Sequence, residues 1–258
     1  MQIDFGKTAQ DYGRYRAGFP PALFERLATF GIGNTGQRIL DLGTGTGTLA
    51  RGFALRGGQV TGLDPSVSLT EEAKRLDQEA GVSVRYVTAK AEQTDLPAAS
   101  FDVVTAGQCW HWFDRPKAAQ EVKRLLVPRG YLVIAHFDWI PLPGNVVEAT
   151  EKLIEQHNPE WKLGGGRGMY SRWLSDVAIA GFHDIETFSF DLFVPYSPEA
   201  WRGRIRASAG VSASLTPEQV ARFDADLQKL LHERFSEDPL AVHHRVFALV
   251  CTSPKSKV

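Results

Sequence analysis

The stretch Arg38-Ile39-Leu40-Asp41-Leu42-Gly43-Thr44-Gly45-Thr46-Gly47 decides the fold. Its first half, RILDLG, is a short apolar run of the kind that fills a strand covered on both faces. Glycines then occupy alternate positions, and a helix is expected over about 48–56, ended by Gly57-Gly58. Glycine reaches backbone angles closed to other residues and lets a ligand approach the main chain. The helix beyond the turn offers unpaired N–H groups and a partial positive charge at its start. A strand, a glycine turn and a helix in this order predict a ligand cradle.

Spacing narrows the ligand. A dinucleotide fingerprint, GxGxxG, needs glycine at position 48, where Thr48 stands. A phosphate-binding loop needs GK[ST] after four intervening residues, and the chain has none there. What remains is GxGxG, opened by Asp41, with Asp64 ending the next short strand, QVTGLD. A carboxylate at Asp64 has acceptors enough for both hydroxyls of a ribose. Its other reading is a helix-entry turn through Asp64-Pro65.

Outward from this stretch, strands and helices alternate. SVSLTEEAKRLDQEAG is a helix with Ser66 or Ser68 as its cap, VSVRYVTA a third strand and FDVVTAGQ a fourth. PKAAQEVKRLLV is a helix closed by Pro128-Arg129-Gly130, and YLVIAHF a fifth strand. Such alternation predicts a parallel sheet covered on both faces over 38–137. Before it, Pro20-Pro21 opens a helix with Leu23, Leu27 and Phe30 at helical spacing. After Phe137 the rhythm breaks. Helices are expected over 145–157 and 170–180, a loop at LGGGRG (163–168), and strands at HDIETFSFDLFV and HHRVFALVCTS, with the amphipathic helix TPEQVARFDADLQKLLHERF between them. The expected fold class is α/β: a Rossmann-like, mostly parallel seven-stranded sheet with a C-terminal antiparallel hairpin and a helical lid. One domain is expected over 1–258, with an N-terminal helical cover (1–37), a core (38–137), then lid helices and C-terminal strands (138–258).

Composition excludes several classes. Of 258 residues 43% are hydrophobic and the net charge is −1, which is ample for a core and far from a disordered chain. Near-neutral charge also argues against nucleic acid as a partner, since that affinity comes largely from phosphate neutralisation. Cys109 and Cys251 form neither a disulfide framework nor a zinc spacing. The opening MQIDFGKTAQDYGRY lacks an apolar signal segment and no stretch approaches the ~20 apolar residues of a membrane span, so a cytoplasmic location and no membrane partner are expected.

DLGTGTG, GLDPS, AKAEQTDLPAASFDVVTAGQCWHWFD and RLLVPRGYLVI, in that order, resemble class I S-adenosylmethionine-dependent methyltransferases. The resemblance is closest to the small-molecule type 11 branch that includes trans-aconitate methyltransferase-like proteins, and it is strong over about 5–137. It implies S-adenosyl-L-methionine as cofactor and a small-molecule acceptor. It implies that Gly43, Thr44, Gly45 and Gly47 line the methionine part, with Asp41 near the ammonium and Asp64 on the ribose. Pro65 or Ser66 would border the adenine, and Ala91 and Glu92 flank its ring and amino group. Gly107 and Gln108, with Trp110 or His111, would sit by the methyl. FGKTAQDYGRYRAGFP resembles the helical cover of this branch, which makes Tyr12, Tyr15 and Arg16 candidates to close over the cofactor, beside an ordinary packing role.

His111, in the loop after the fourth strand, is the candidate general base, because an imidazole is the side chain suited to proton transfer near neutral pH and the loop lies at the edge where open parallel sheets bind ligands. Its other reading is a pocket wall. No acidic cluster suggests a metal, and His243-His244, neighbours on a strand, face opposite ways. Arg202, Arg204 and Arg206 could recognise an acidic acceptor or form a solvated helix face, and Arg167 on LGGGRG stands likewise. Two further readings stay open: a noncatalytic cofactor-binding protein of the same fold and, disfavoured by Thr48, a nicotinamide-dependent oxidoreductase.

Overall fold

Residues 17–254 are described by a computed structural model. Ile39, Leu40 and Leu42 are fully buried, so the decisive strand is covered on both faces as its composition requires. It is β1 (Arg38–Leu42) of a sheet that also contains β2 (Gln59–Leu63), β3 (Arg85–Val87), β4 (Phe101–Gly107), β5 (Leu126–Trp139), β6 (His183–Tyr196) and β7 (Leu240–Thr252). The seven strands run in the order β3-β2-β1-β4-β5-β7-β6. Pairing is parallel from β3 through to β5, and the C-terminal strands are antiparallel. This is the mixed sheet of the expected fold class. The order reverses between β1 and β4, and such a switch point opens a crevice at the carboxyl ends of the strands.

The chain divides into two compact units. One comprises Gly18–Phe137, Tyr170–Ser189 and the chain from Phe247 on. It contains α1 (Pro21–Ala28), α2 (Thr48–Ala54), α3 (Val67–Glu79), α4 (Arg115–Leu125) and α6 (Arg172–Ile179). Its core gathers Leu42, Leu63, Val104, Trp110, Val122, Ile134, Trp173 and Leu249. The other comprises Asp138–Met169 and Phe190–Val246, with α5 (Val146–His157), α7 (Pro198–Arg206) and α8 (Pro217–Arg234). Trp201, Ile205, Phe223, Leu227 and Val242 are fully buried there. A reciprocal cap between Thr216 and Gln219 starts α8, satisfying N–H groups that a helix start leaves open. Among the described residues, no helix is long and apolar enough to cross a membrane.

Three local expectations differ from what forms. The helix α4 stops at Leu125, and β5 begins at Leu126 instead of Tyr131. Between the pairs Phe101↔Leu126 and Val103↔Tyr131 the ladder shifts register, so Pro128, Arg129 (φ 61°) and Gly130 form a bulge within the strand, where a proline costs no ladder bond. The third strand shrinks to three residues because it is the sheet edge, with a partner on one side only. Ser66 occupies the cap position of α3 without a side-chain cap bond; its N–H donates instead to the Asp64 carboxylate at 2.8 Å.

In the first unit, α1 and α2 meet through a missing side chain. A Cβ on Gly52 would lie 2.0 Å from the Phe24 ring, which is held by Phe53 edge-on at 5.0 Å and by Arg56 at 4.3 Å. Gly→Ala within a helix ordinarily gains about 1 kcal/mol, but overpacking a filled site costs about 1–3 kcal/mol. With the Cβ only 2.0 Å from the ring the cost outweighs the gain, so Gly52→Ala is expected to lower stability, by up to about 2 kcal/mol net, read as a lower urea midpoint at unchanged m-value.

Candidate active site

Register aligns the ends of four strands. Leu42 pairs with Leu63 and with Ala106, and Gly107 pairs with Ala135, so Gly43, Asp64, Gly107 and His136 come to one sheet edge. Sequence separation is irrelevant here; parallel pairing alone brings together residues far apart in the chain.

The turn after β1 has Gly43, Gly45 and Gly47 at φ 57°, 55° and 76°, a left-handed region that glycine enters without penalty. Two of them also lack room for a side chain. A Cβ on Gly43 would lie 2.8 Å from Cys109 Cβ, and one on Gly47 2.6 Å from the Tyr86 hydroxyl. A Cβ on Gly45 would meet no described atom within 4 Å, so open space adjoins the middle of the turn. The Thr44 N–H donates to the Leu63 carbonyl at 3.0 Å and the Gly47 N–H to the Thr44 carbonyl at 2.9 Å. The Thr46 hydroxyl is buried with no hydrogen-bond partner among the described residues.

Two carboxylates frame this turn. Asp41 is 1% exposed, and its oxygens accept the hydroxyls of Thr44 and Thr105, each at 2.7 Å. Burial pushes its carboxyl up to about 6, against the two hydroxyl bonds that favour its charge, with the negative Asp64 adding to the rise. Asp64 accepts the Gly45 N–H at 2.9 Å and the Ser66 N–H at 2.8 Å, and burial again raises its carboxyl against those bonds. Pro65 is exposed at the mouth of α3. Ala91 is buried, and Glu92 accepts the Asp114 N–H at 2.8 Å, which ties the loop after β3 to the start of α4.

Across the switch point, Gly107 leaves little space for a side chain: a Cβ would lie 3.0 Å from both Leu49 and Phe19. Gln108 turns left-handed (φ 58°), its N–H donating to the Ala135 carbonyl at 2.8 Å and its amide to the Phe137 carbonyl at 2.5 Å. His111 is exposed on the short 3₁₀ turn Trp110–Trp112, its ring centroid 4.5 Å from Trp112 and 5.4 Å from His136. Trp110 is fully buried, its indole N–H directed at Asp176 at 3.4 Å, so of that pair His111 faces outward. His136 is buried between Tyr170 (4.4 Å) and Trp173 (4.8 Å). Tyr15, with Tyr12 and Arg16, lies outside the described residues.

The sequence reading missed Thr105, Cys109 and His136. Thr105 had a signal, a polar residue inside the buried run FDVVTAG, where a hydroxyl must find a partner. Cys109 and His136 had none, since packing against Gly43 and proximity to His111 exist only once β1, β4 and β5 are paired. Elsewhere, in the second unit, His243 contacts Asp191 at 2.9 Å while His244 is buried and pushed down to about 4, as alternation on a strand requires. Arg202 and Arg206 share Asp224, and the Arg204 guanidinium lies 4.7 Å from the Trp139 ring centre.

A family model described as a methyltransferase domain matches residues 40–134. A methyltransferase of Schizosaccharomyces pombe is 30% identical over 68% of this chain and 70% of its own length. The demethylmenaquinone methyltransferase of Thermus thermophilus is 38% identical over 39% of this chain and 47% of its own. The chain spans 51% of the length of mycobacterial methyltransferases at 33% identity, about half of each. Among solved structures, a protein described as a type II methyltransferase from Anaeromyxobacter dehalogenans overlays with a TM-score of 0.64 at 21% identity, covering 93% of this chain and 98% of that one, which bears on fold alone. With the strand order, the glycine turn and the paired carboxylates, these similarities establish that the chain belongs to the S-adenosylmethionine-dependent methyltransferase family.

Proposed function

We propose that this protein transfers the methyl group of S-adenosylmethionine to a nucleophilic atom of a small molecule. The observation that carries the reading is the pair of buried carboxylates, Asp41 and Asp64, on either side of a glycine turn with open space at Gly45. Two negative groups there repel a diphosphate and attract a cationic amino acid, so the crevice suits a sulfonium and an ammonium. The Thr46 hydroxyl, buried without a described partner, is a further polar group suited to such a ligand.

When bound, S-adenosylmethionine supplies a methyl group activated on positively charged sulfur. The chain's part is placement and exclusion of water. The backbone of Gly43, Thr44, Gly45 and Gly47 holds the amino-acid end, and Asp41 takes the ammonium. Asp64 keeps lone pairs beyond its two N–H bonds and takes the ribose hydroxyls. Pro65, Ala91 and Glu92 border the adenine, Gly107 and Gln108 the reacting carbon. His111 accepts the proton of a hydroxyl or ammonium acceptor. The T. thermophilus relative is named as a demethylmenaquinone methyltransferase, which supports a metabolite acceptor over a macromolecular one here. Arg202 and Arg206 are spent on Asp224, which gives an acidic acceptor no support.

The test is calorimetry with S-adenosylmethionine and release of S-adenosylhomocysteine across hydroxyl, amine and carboxyl acceptors. Binding without turnover throughout would favour a noncatalytic role, and binding of NAD in its place would overturn the reading. Asp64→Ala is expected to weaken cofactor binding by about 1.5–3 kcal/mol, the range for bonds to a charged group. His111→Ala should lower turnover by about 10²–10⁴ with cofactor affinity unchanged, the span for loss of a general base. Because the Asp41 carboxyl titrates near 6 and binds an ammonium only when ionised, cofactor affinity should fall as pH drops below about 6. Asp41→Asn should bind weakly at every pH, and an affinity flat from pH 7.5 to 5 in the unsubstituted protein would remove Asp41 from the ammonium.

A further inference from the structure

Beside the glycine turn, three side chains converge from three elements. Arg51 of α2 donates from Nη2 to the Thr46 carbonyl at 2.7 Å and more weakly to the Ala73 carbonyl at 3.4 Å. Its Nε lies 2.9 Å from Oδ1 of Asp77 on α3, an ion pair off hydrogen-bond alignment. Oδ2 of Asp77 accepts the hydroxyl of Tyr86 on β3 at 2.7 Å. That phenol fills the space that a side chain on Gly47 would need, and its ring the space beside Gly62. Asp77 is 3% exposed, on the face of α3 that also buries Leu69, Thr70 and Ala73.

A buried ion pair is a poor source of stability, because apolar groups of the same volume serve as well or better. What this one does is geometric. Arg51 holds the carbonyl of the peptide between Thr46 and Gly47, while the N–H of the same peptide donates to the Thr44 carbonyl at 2.9 Å. Both ends of one peptide plane are thereby fixed, and Asp77 and Tyr86 fix the guanidinium that does it. A planar fork is needed, since one group must reach a carboxylate and a carbonyl at once.

We propose that Arg51, Asp77 and Tyr86 are positioning residues that hold the 46–47 peptide in the orientation required by the amino-acid end of the cofactor. The proposal rests on the cofactor reading above. It separates from a merely structural role through the double variant Arg51→Met/Asp77→Leu, which removes both charges at nearly constant volume. That variant is expected to stay folded, with the Tyr86 hydroxyl and Thr46 carbonyl left without these partners, yet to bind S-adenosylhomocysteine about tenfold more weakly by calorimetry, more than its change in thermal stability accounts for. In turnover, KM for S-adenosylmethionine should rise by a similar factor with kcat within about twofold. Asp77→Asn and Arg51→Met should behave alike in binding, Tyr86→Phe should lose less, and Arg51→Lys should recover part of the affinity lost in Arg51→Met.

A double variant that folds and binds S-adenosylhomocysteine as the wild type does overturns the proposal alone. Binding that falls only in proportion to lost thermal stability across the series also overturns it. A wild-type protein that binds no S-adenosylhomocysteine overturns the cofactor reading and, with it, this one.

Discussion

One carboxylate joins the two halves of the crevice wall. Asp64, at the end of β2, accepts the N–H of Gly45 from the turn after β1 and the N–H of Ser66 at the start of α3. A glycine-rich bend has many conformations open to it, and glycine loses more freedom on ordering than any other residue. Bonds from a charged acceptor to main-chain donors are about twice as strong as neutral ones and select one of those conformations. The position of the bend follows from that choice, and in the proposed function so do the contacts of the bound cofactor.

Placing a second acid, Asp41, beside the first has a cost. Each carboxylate is removed from water, and the charge of Asp64 further raises the affinity of Asp41 for a proton. Hydroxyl bonds from Thr44 and Thr105 and main-chain N–H bonds, among them those of Gly45 and Ser66, offset the desolvation. An excess of negative charge that hydrogen bonds only partly relieve is an arrangement that a cationic ligand completes. The same charge disfavours the diphosphate that glycine turns of similar appearance accept, so electrostatics and glycine spacing both support the proposed ligand.

The strand rhythm from 38 to 137 was legible because strands buried on both faces must be apolar and the helices between them must be amphipathic. Gly43, Asp64 and Gln108 were legible as residues just beyond strand ends. The bulge at Pro128-Gly130 was not, because proline and glycine signal a helix end and a strand irregularity alike; the pairing of Phe101 with Leu126 settles which. Nor was the difference between Trp110 and His111, adjacent polar-tipped rings on one loop. Only the packing of α6 against this region, where Asp176 meets the Trp110 indole, turns one inward and leaves the other exposed.

Local order alone determined the ligand cradle: a strand, alternate glycines and a helix start can bend in few ways, and the acids flanking them are neighbours in the chain or one strand on. Tertiary structure decided what holds that cradle. Thr105 reaches Asp41 from β4, Cys109 backs Gly43 from the loop beyond, and Arg51, Asp77 and Tyr86 meet from three separate elements. Those partners are brought within bonding distance by sheet register and helix packing, which are set by the summed burial of many side chains and are written in no single stretch of the chain.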